Sequence, residues 1–167
     1  MDVFGEQVKN IDNSGKGSLE IFNNNIAKLA KAPERVVTIP SDSFSIRSQQ
    51  LPDCYSLISI DGGHAREHTA FGLQYANDTI KQGSLIVLDD FTNVNWLGVM
   101  DGALAFLDQS NRRIAPFMAG YNKLFLTTIT EAERTRAAME EYIQANLGTQ
   151  SVKRLSKLKG HAVRGLQ

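Results

Sequence analysis

Cysteine is nearly absent: Cys54 is the single one in 167 residues. That excludes an internal disulfide framework and suits a reducing compartment, so the expected location is cytoplasmic. No apolar run approaches the ~20 residues that a membrane-spanning helix requires. The opening MDVFGEQVKN lacks the basic stretch and apolar core of a secretory signal. Net charge is missing too, since 18 Lys+Arg balance 18 Asp+Glu. Neither nucleic acid nor a membrane is therefore an expected partner. There are no internal repeats and no low-complexity segments. What is present is ordinary for a folded chain. Hydrophobic residues make up 42% and charged residues 22%, which excludes disordered and fibrous classes, and the length suits one domain with a core.

Punctuated apolar runs set the organisation. YSLISI (Tyr55–Ile60) and SLIVL (Ser84–Leu88) read as buried strands. Between them, Ala65 to Ile80 reads as a helix of about four turns, with Phe71, Leu73, Tyr75, Ala76 and Ile80 on its apolar face and Gly83 as its stop. Strand, helix and strand at this spacing form a crossover with two parallel strands. Upstream, Ser18 caps a helix reaching about Lys31, Pro33 follows it, and RVVTI (Arg35–Ile39) reads as a strand. Downstream, Leu97–Leu107 suits a helix, and Ala115–Gly120 and Lys123–Thr128 suit a hairpin. Glu131–Asn146 suits a helix capped by Thr130 and stopped by Gly148. The basic stretch from residue 148 to 167 reads as a flexible tail, with a nucleic-acid arm as the disfavoured alternative. The fold class is α/β, a mostly parallel sheet with an antiparallel end.

Open parallel sheets bind ligands at the carboxyl ends of their strands, and acids recur there. YSLISI runs into Asp61-Gly62-Gly63-His64, SLIVL runs into Asp89-Asp90-Phe91, and RVVTI leads to Ser41-Asp42-Ser43. Converging carboxylates repel one another unless a cation relieves them, and oxygen ligands select Mg²⁺, Mn²⁺ or Ca²⁺. Asp89 and Asp90 as caps of the next turn are the alternative. His64 reads either as a general base, since imidazole titrates near neutrality, or as a structural histidine closing the turn. His68 completes H-A-R-E-H, in which the Glu of the zinc-protease signature is displaced. A supporting or exposed role therefore suits it better than zinc ligation. Asp12 to Glu20 mimics a calcium loop, but Lys16 stands where an oxygen ligand is needed and Asn23 replaces the bidentate Glu. Nor does Gly15-Lys16-Gly17 have the frame of a phosphate loop.

Taken in order, several blocks resemble class I S-adenosylmethionine-dependent methyltransferases, in the subgroup with DVFEDQ, SGxG, DGGH and DD-[FY] blocks. They are Asp2-Val3-Phe4-Gly5-Glu6-Gln7, Asn10 to Gly17, Ile60-Asp61-Gly62-Gly63-His64 and Leu88-Asp89-Asp90-Phe91, followed by Trp96-Leu97-Gly98-Val99, Pro116-Phe117 and Gly120-Tyr121-Asn122-Lys123-Leu124. The resemblance covers about residues 2 to 128 and implies a Rossmann-like fold, with residues 1–147 as a partial methyltransferase domain. It implies that Asp2 holds the ribose of S-adenosylmethionine, that Ser41 and Asp42 read the adenine, and that Asp61 also lies at the cofactor. Asp61, Asp89 and Asp90 fall on Mg²⁺-holding positions, and His64 becomes the candidate base. A metal there would lower the pKa of a substrate hydroxyl for in-line attack on the methyl group.

The implied function is O-methyl transfer to a small-molecule acceptor, assisted by Mg²⁺. Asn93, Asn95, Trp96 and the Tyr121 turn would line the pocket, with core packing the alternative for Trp96. The subgroup begins with a strand, an E/D-x-G-x-G-x-G turn and a helix, none of which is found here. The expectation is therefore an N-terminally truncated chain lacking its first βα unit, with an unpaired sheet edge. Two rival readings follow. One is a non-catalytic remnant that dimerises by strand addition, a homo-oligomer. The other is a metal-dependent hydrolase using the same acids and His64.

Overall fold

The structure, a computed structural model, describes residues 1–12, 15–48 and 55–167. Cys54, and Asn13 and Ser14 of the calcium-loop mimic, lie outside the described residues. Where the sequence suggests one domain to residue 147, the chain divides into two compact units, 1–51 and 52–167. Among the described residues, no helix is long and apolar enough to cross a membrane.

In the first unit, helix α1 (Leu19–Leu29) starts where expected, the Ser18 hydroxyl accepting the Ile21 N–H at 3.3 Å. The expected strand over Arg35–Ile39 does not form. Pro33–Arg35 is a short 3₁₀ turn, and among the described residues the pairing here is an isolated parallel bridge from Asp2 to Pro40. Asp2 donates its N–H to the Ile39 carbonyl and accepts from the Ser41 N–H. Phe4 then turns at φ 44°, a left-handed conformation that ends the extended run, so β-branched residues at 36–38 have no ladder to join.

The second unit holds a six-stranded sheet with helices packed on it. The strands are β1 (Tyr55–Ile60), β2 (Ile80–Leu88), β3 (Ile114–Gly120), β4 (Lys123–Thr128), β5 (Val152–Leu158) and β6 (His161–Leu166). The helices are α2 (Arg66–Thr79), α3 (Leu97–Leu107) and α4 (Ala132–Leu147). The order across the sheet is β1-β2-β4-β3-β6-β5. The β1–β2 and β3–β6 pairs are parallel and the other three antiparallel. Hence β1, β2, β3 and β6 run one way, and β4 and β5 the other. α2 is the crossover expected between β1 and β2. Leu73, Ala76, Ile86, Leu88, Phe106, Leu107, Leu124 and Leu126 are fully or almost fully buried in one core cluster.

Three local expectations need correction. Gly83 does not stop α2, which ends at Thr79; it lies inside β2 at φ 75°. The register jumps from Ile80 opposite Tyr55 to Leu85 opposite Leu57, so β2 bulges there, and a glycine absorbs the left-handed residue that the bulge requires. Thr130 does not cap α4, because a 3₁₀ turn over Ile129–Glu131 winds directly into it. The third concerns the basic stretch.

From Val152 to Leu166 the expected loose tail is a hairpin that extends the sheet through β6. Two of its basic residues find acids far away in sequence. Arg164 makes a bidentate pair with Glu140 of α4, at 2.8 and 3.0 Å, and Lys159 meets Asp108 at 2.7 Å. His161 Nε2 accepts from Arg112 at 2.8 Å; burial and that neighbouring guanidinium hold the imidazole below its ordinary pKa. Val163 is buried, and Val152, Leu158 and Leu166 pack on the core.

A side chain ties the end of α2 to the start of β3. Asn77, 5% exposed, accepts the Arg113 N–H at 2.6 Å. Asn77→Ala removes that acceptor from a partly buried donor, and a loss of about 1–3 kcal/mol is expected, read as a lower urea midpoint at unchanged slope.

Candidate active site at the strand ends

Because β1, β2 and β3 run in one direction, three connections emerge at the same end of the sheet: β1 to α2, β2 to α3, and the β3–β4 turn. The first delivers Asp61 and His64, the second Asp89 and Asp90, the third Tyr121 and Asn122. Tyr121 and Asn122 both have positive φ, 50° and 65°, as a two-residue hairpin turn demands. The turn folds onto the second connection, where the Phe91 N–H donates to the Asn122 carbonyl at 2.9 Å.

Asp90 sits at the junction. It adopts φ 56°, unusual for a residue with a side chain, and its carboxylate gathers three donors. Oδ1 accepts from Asn93 Nδ2 at 2.9 Å and from Asn122 Nδ2 at 2.6 Å. Oδ2 lies 3.0 Å from His64 Nε2. An ionised carboxylate only accepts, so the contact places a proton on His64 Nε2. Trp96 stacks on that ring, with centroids 4.3 Å apart and planes 15° from parallel.

Asp89 faces elsewhere. Lys123, the first residue of β4, pairs with its Oδ2, and its Oδ1 accepts the Asp90 N–H at 2.8 Å. Burial alone pushes the Asp89 carboxyl up, but Lys123 and the Asp90 N–H together outweigh it, so the group titrates below its ordinary value. A lowered carboxylate pKa contributes stability above the unfolded-state value that is lost as pH falls through the folded-state one. Lys123→Met should therefore lower the urea midpoint most at neutral pH, with the gap to wild type closing as acid protonates Asp89.

The residues named from sequence thus fall into groups. Asp61, His64 and Asp90 each offer a ligand atom within 4.8 Å of the others, and Asp89 is engaged by Lys123. His68 packs its ring on Gly63, where an added Cβ would lie 2.6 Å from it. Tyr121 donates its hydroxyl to the Gln167 carbonyl at 2.7 Å, and Asn95 is exposed. Asp2, Ser41 and Asp42 belong to the first unit. There one Asp2 oxygen accepts the Phe4 N–H, and Asp42 accepts the Ser45 N–H at 3.1 Å. Beside the Asp2–Pro40 bridge lies a cavity of about 470 Å³ lined by Val3, Phe4, Gly5, Glu6, Gly17, Ser18, Leu19 and Pro40. Sequence reasoning missed Lys123 and Asn122 as partners of the acid pair. The Gly-Tyr-Asn-Lys turn was the available signal, since Asn tolerates the left-handed turn position.

A crossover sheet with titratable groups at its strand ends is the arrangement in which open α/β folds place their ligand sites. The chain belongs to the methyltransferase-domain family, which matches residues 5–91, just over half of it. Among solved structures, the O-methyltransferase NovP is similar, with a TM-score of 0.54 at 16% identity over 67% of this chain and 45% of that one. The fold is accordingly Rossmann-like, and the chain spans under half the length of NovP. No curated protein matches the chain.

Proposed function

We propose that the chain serves O-methyl transfer from S-adenosylmethionine to a hydroxyl group of a small molecule, assisted by Mg²⁺, in the cytoplasm. The observation that carries the reading is the Asp90–His64 pair, a base oriented by a carboxylate, beside the exposed carboxylate of Asp61. The donor set fits a hard divalent ion, because two carboxylates lie together without a cation of their own among the contacts described here. Asp61 and Asp90 would hold it, joined by Asp89 on release from Lys123. Bound there, the ion would lower the pKa of the acceptor hydroxyl.

The cofactor supplies an electrophilic methyl group on a sulfonium. For it, Asp2 keeps one carboxylate oxygen for a ribose hydroxyl while the other holds Phe4, and the adjacent cavity offers apolar walls in Phe4 and Pro40. Ser41 and Asp42 would read the adenine. His64 would take the proton of the acceptor hydroxyl and Asp90 would stabilise the resulting imidazolium, while the bound cofactor would supply the methyl group to the acceptor oxygen and depart as the neutral sulfide.

Titration calorimetry tests both ligands. S-adenosylhomocysteine and Mn²⁺ should each give heat of binding, and Asp61→Asn should abolish the metal heat alone. A folded chain that binds neither sinks the methyltransferase reading for this chain.

A further inference from the structure

His64 is held from a direction that the acid cluster does not explain. The residue before α3, Trp96, covers one face of its ring. Two residues on, a Cβ added at Gly98 would lie 2.5 Å from the His64 carbonyl oxygen, 3.0 Å from Arg66 N and 3.1 Å from Ala65 Cα. One turn later, a Cβ at Gly102 would lie 2.8 Å from Thr69 Cβ. The nearest obstacles to Gly98 are backbone atoms, which cannot swing aside. The start of α3 therefore meets the start of α2 at main-chain distance, and a single turn of helix fixes both the backbone and the ring of His64.

We infer that Trp96 is a positioning residue for His64, with Gly98 seating the main chain beneath it. The inference rests on the reading of His64 as the base. Stacking confines the imidazole to one plane, and within that plane Asp90 distinguishes the orientation that presents Nε2 from the flipped one that does not. Without the indole the ring leaves the plane, Nε2 loses Asp90 for part of the time, and the proton redistributes between the two nitrogens. The proton acceptor toward substrate is then no longer a single atom.

Long-range ¹H–¹⁵N spectra of the full chain, recorded under mildly alkaline conditions, read which ring nitrogen carries the proton. Wild type should show the Nε2–H tautomer, with ring protons shifted upfield by the indole. Trp96→Phe, which keeps an aromatic face, should retain the tautomer. Trp96→Leu, matched for fold by circular dichroism, should reduce the tautomer preference about two- to tenfold, the worth of one aromatic stack. An unchanged preference in Trp96→Leu overturns the inference. If that variant does not fold, the wild-type chain decides, because absence of nuclear Overhauser effects between the His64 ring and the Trp96 indole also overturns it. Failure of the base reading shows elsewhere: turnover that survives His64→Gln removes the base and leaves the tautomer result standing.

Discussion

His64→Gln is expected to slow methyl transfer about 10²–10⁴-fold, the usual worth of a positioned general base, with S-adenosylhomocysteine binding unchanged. Glutamine keeps a donor that can reach Asp90 but has no basic nitrogen, so the substitution removes proton acceptance and little else. Asp90→Asn should cost a comparable factor by another route. Its amide can donate where the carboxylate could only accept, which favours the His64 tautomer with the proton on Nδ1, the wrong one for a base. The two losses should not add in the double variant, because the residues act as one unit. The measurement is transfer of labelled methyl from S-adenosylmethionine to a hydroxylated acceptor, with calorimetry as the binding control. Additive losses would mean that Asp90 does not act through His64.

Much of this arrangement was legible before the structure, and for a physical reason. Strand ends and connections are local: the hairpin of Lys123–Thr128 forms as read, α3 spans Leu97–Leu107 as read, and YSLISI forms a strand, though none of its residues is buried because β1 stands at the end of the strand order. Parallel strands with a single crossover bring Asp61 and Asp90 to the same rim. What could not be read was pairing across long separations. Lys123 reaches Asp89 across 34 positions and Asn122 reaches Asp90 across 32, and nothing in local periodicity joins them. The basic C-terminal stretch misled for the same reason, since Glu140 and Asp108 neutralise Arg164 and Lys159 only once the sheet is assembled. Arg35–Ile39 erred in the opposite sense: a β-branched run makes a strand only beside a partner, and among the described residues only an isolated bridge, Asp2–Pro40, forms next to it.

Phe106→Ala should give the largest stability effect, a loss of about 3–5 kcal/mol. The side chain is 0% exposed, on the face of α3 that meets the sheet core, in the same cluster as Leu73, Ile86 and Leu124. Truncation removes the apolar surface it buries and leaves a void that the neighbours fill only in part. Its neighbours on α3 include Gly102 and Ala103, both buried, and small residues have no side chains long enough to fill the gap. The urea midpoint should fall at unchanged slope, whereas Val94→Ala, at a residue 80% exposed, should stay within about 0.5 kcal/mol of wild type. The same helix carries Gly98 at its start, with Trp96 just before it. A variant that remains folded should therefore also broaden the indole and His64 ring signals. Stability lost without any change at those rings would mean that the first turn of α3 is held by its contact with α2 alone, independently of the core beneath it.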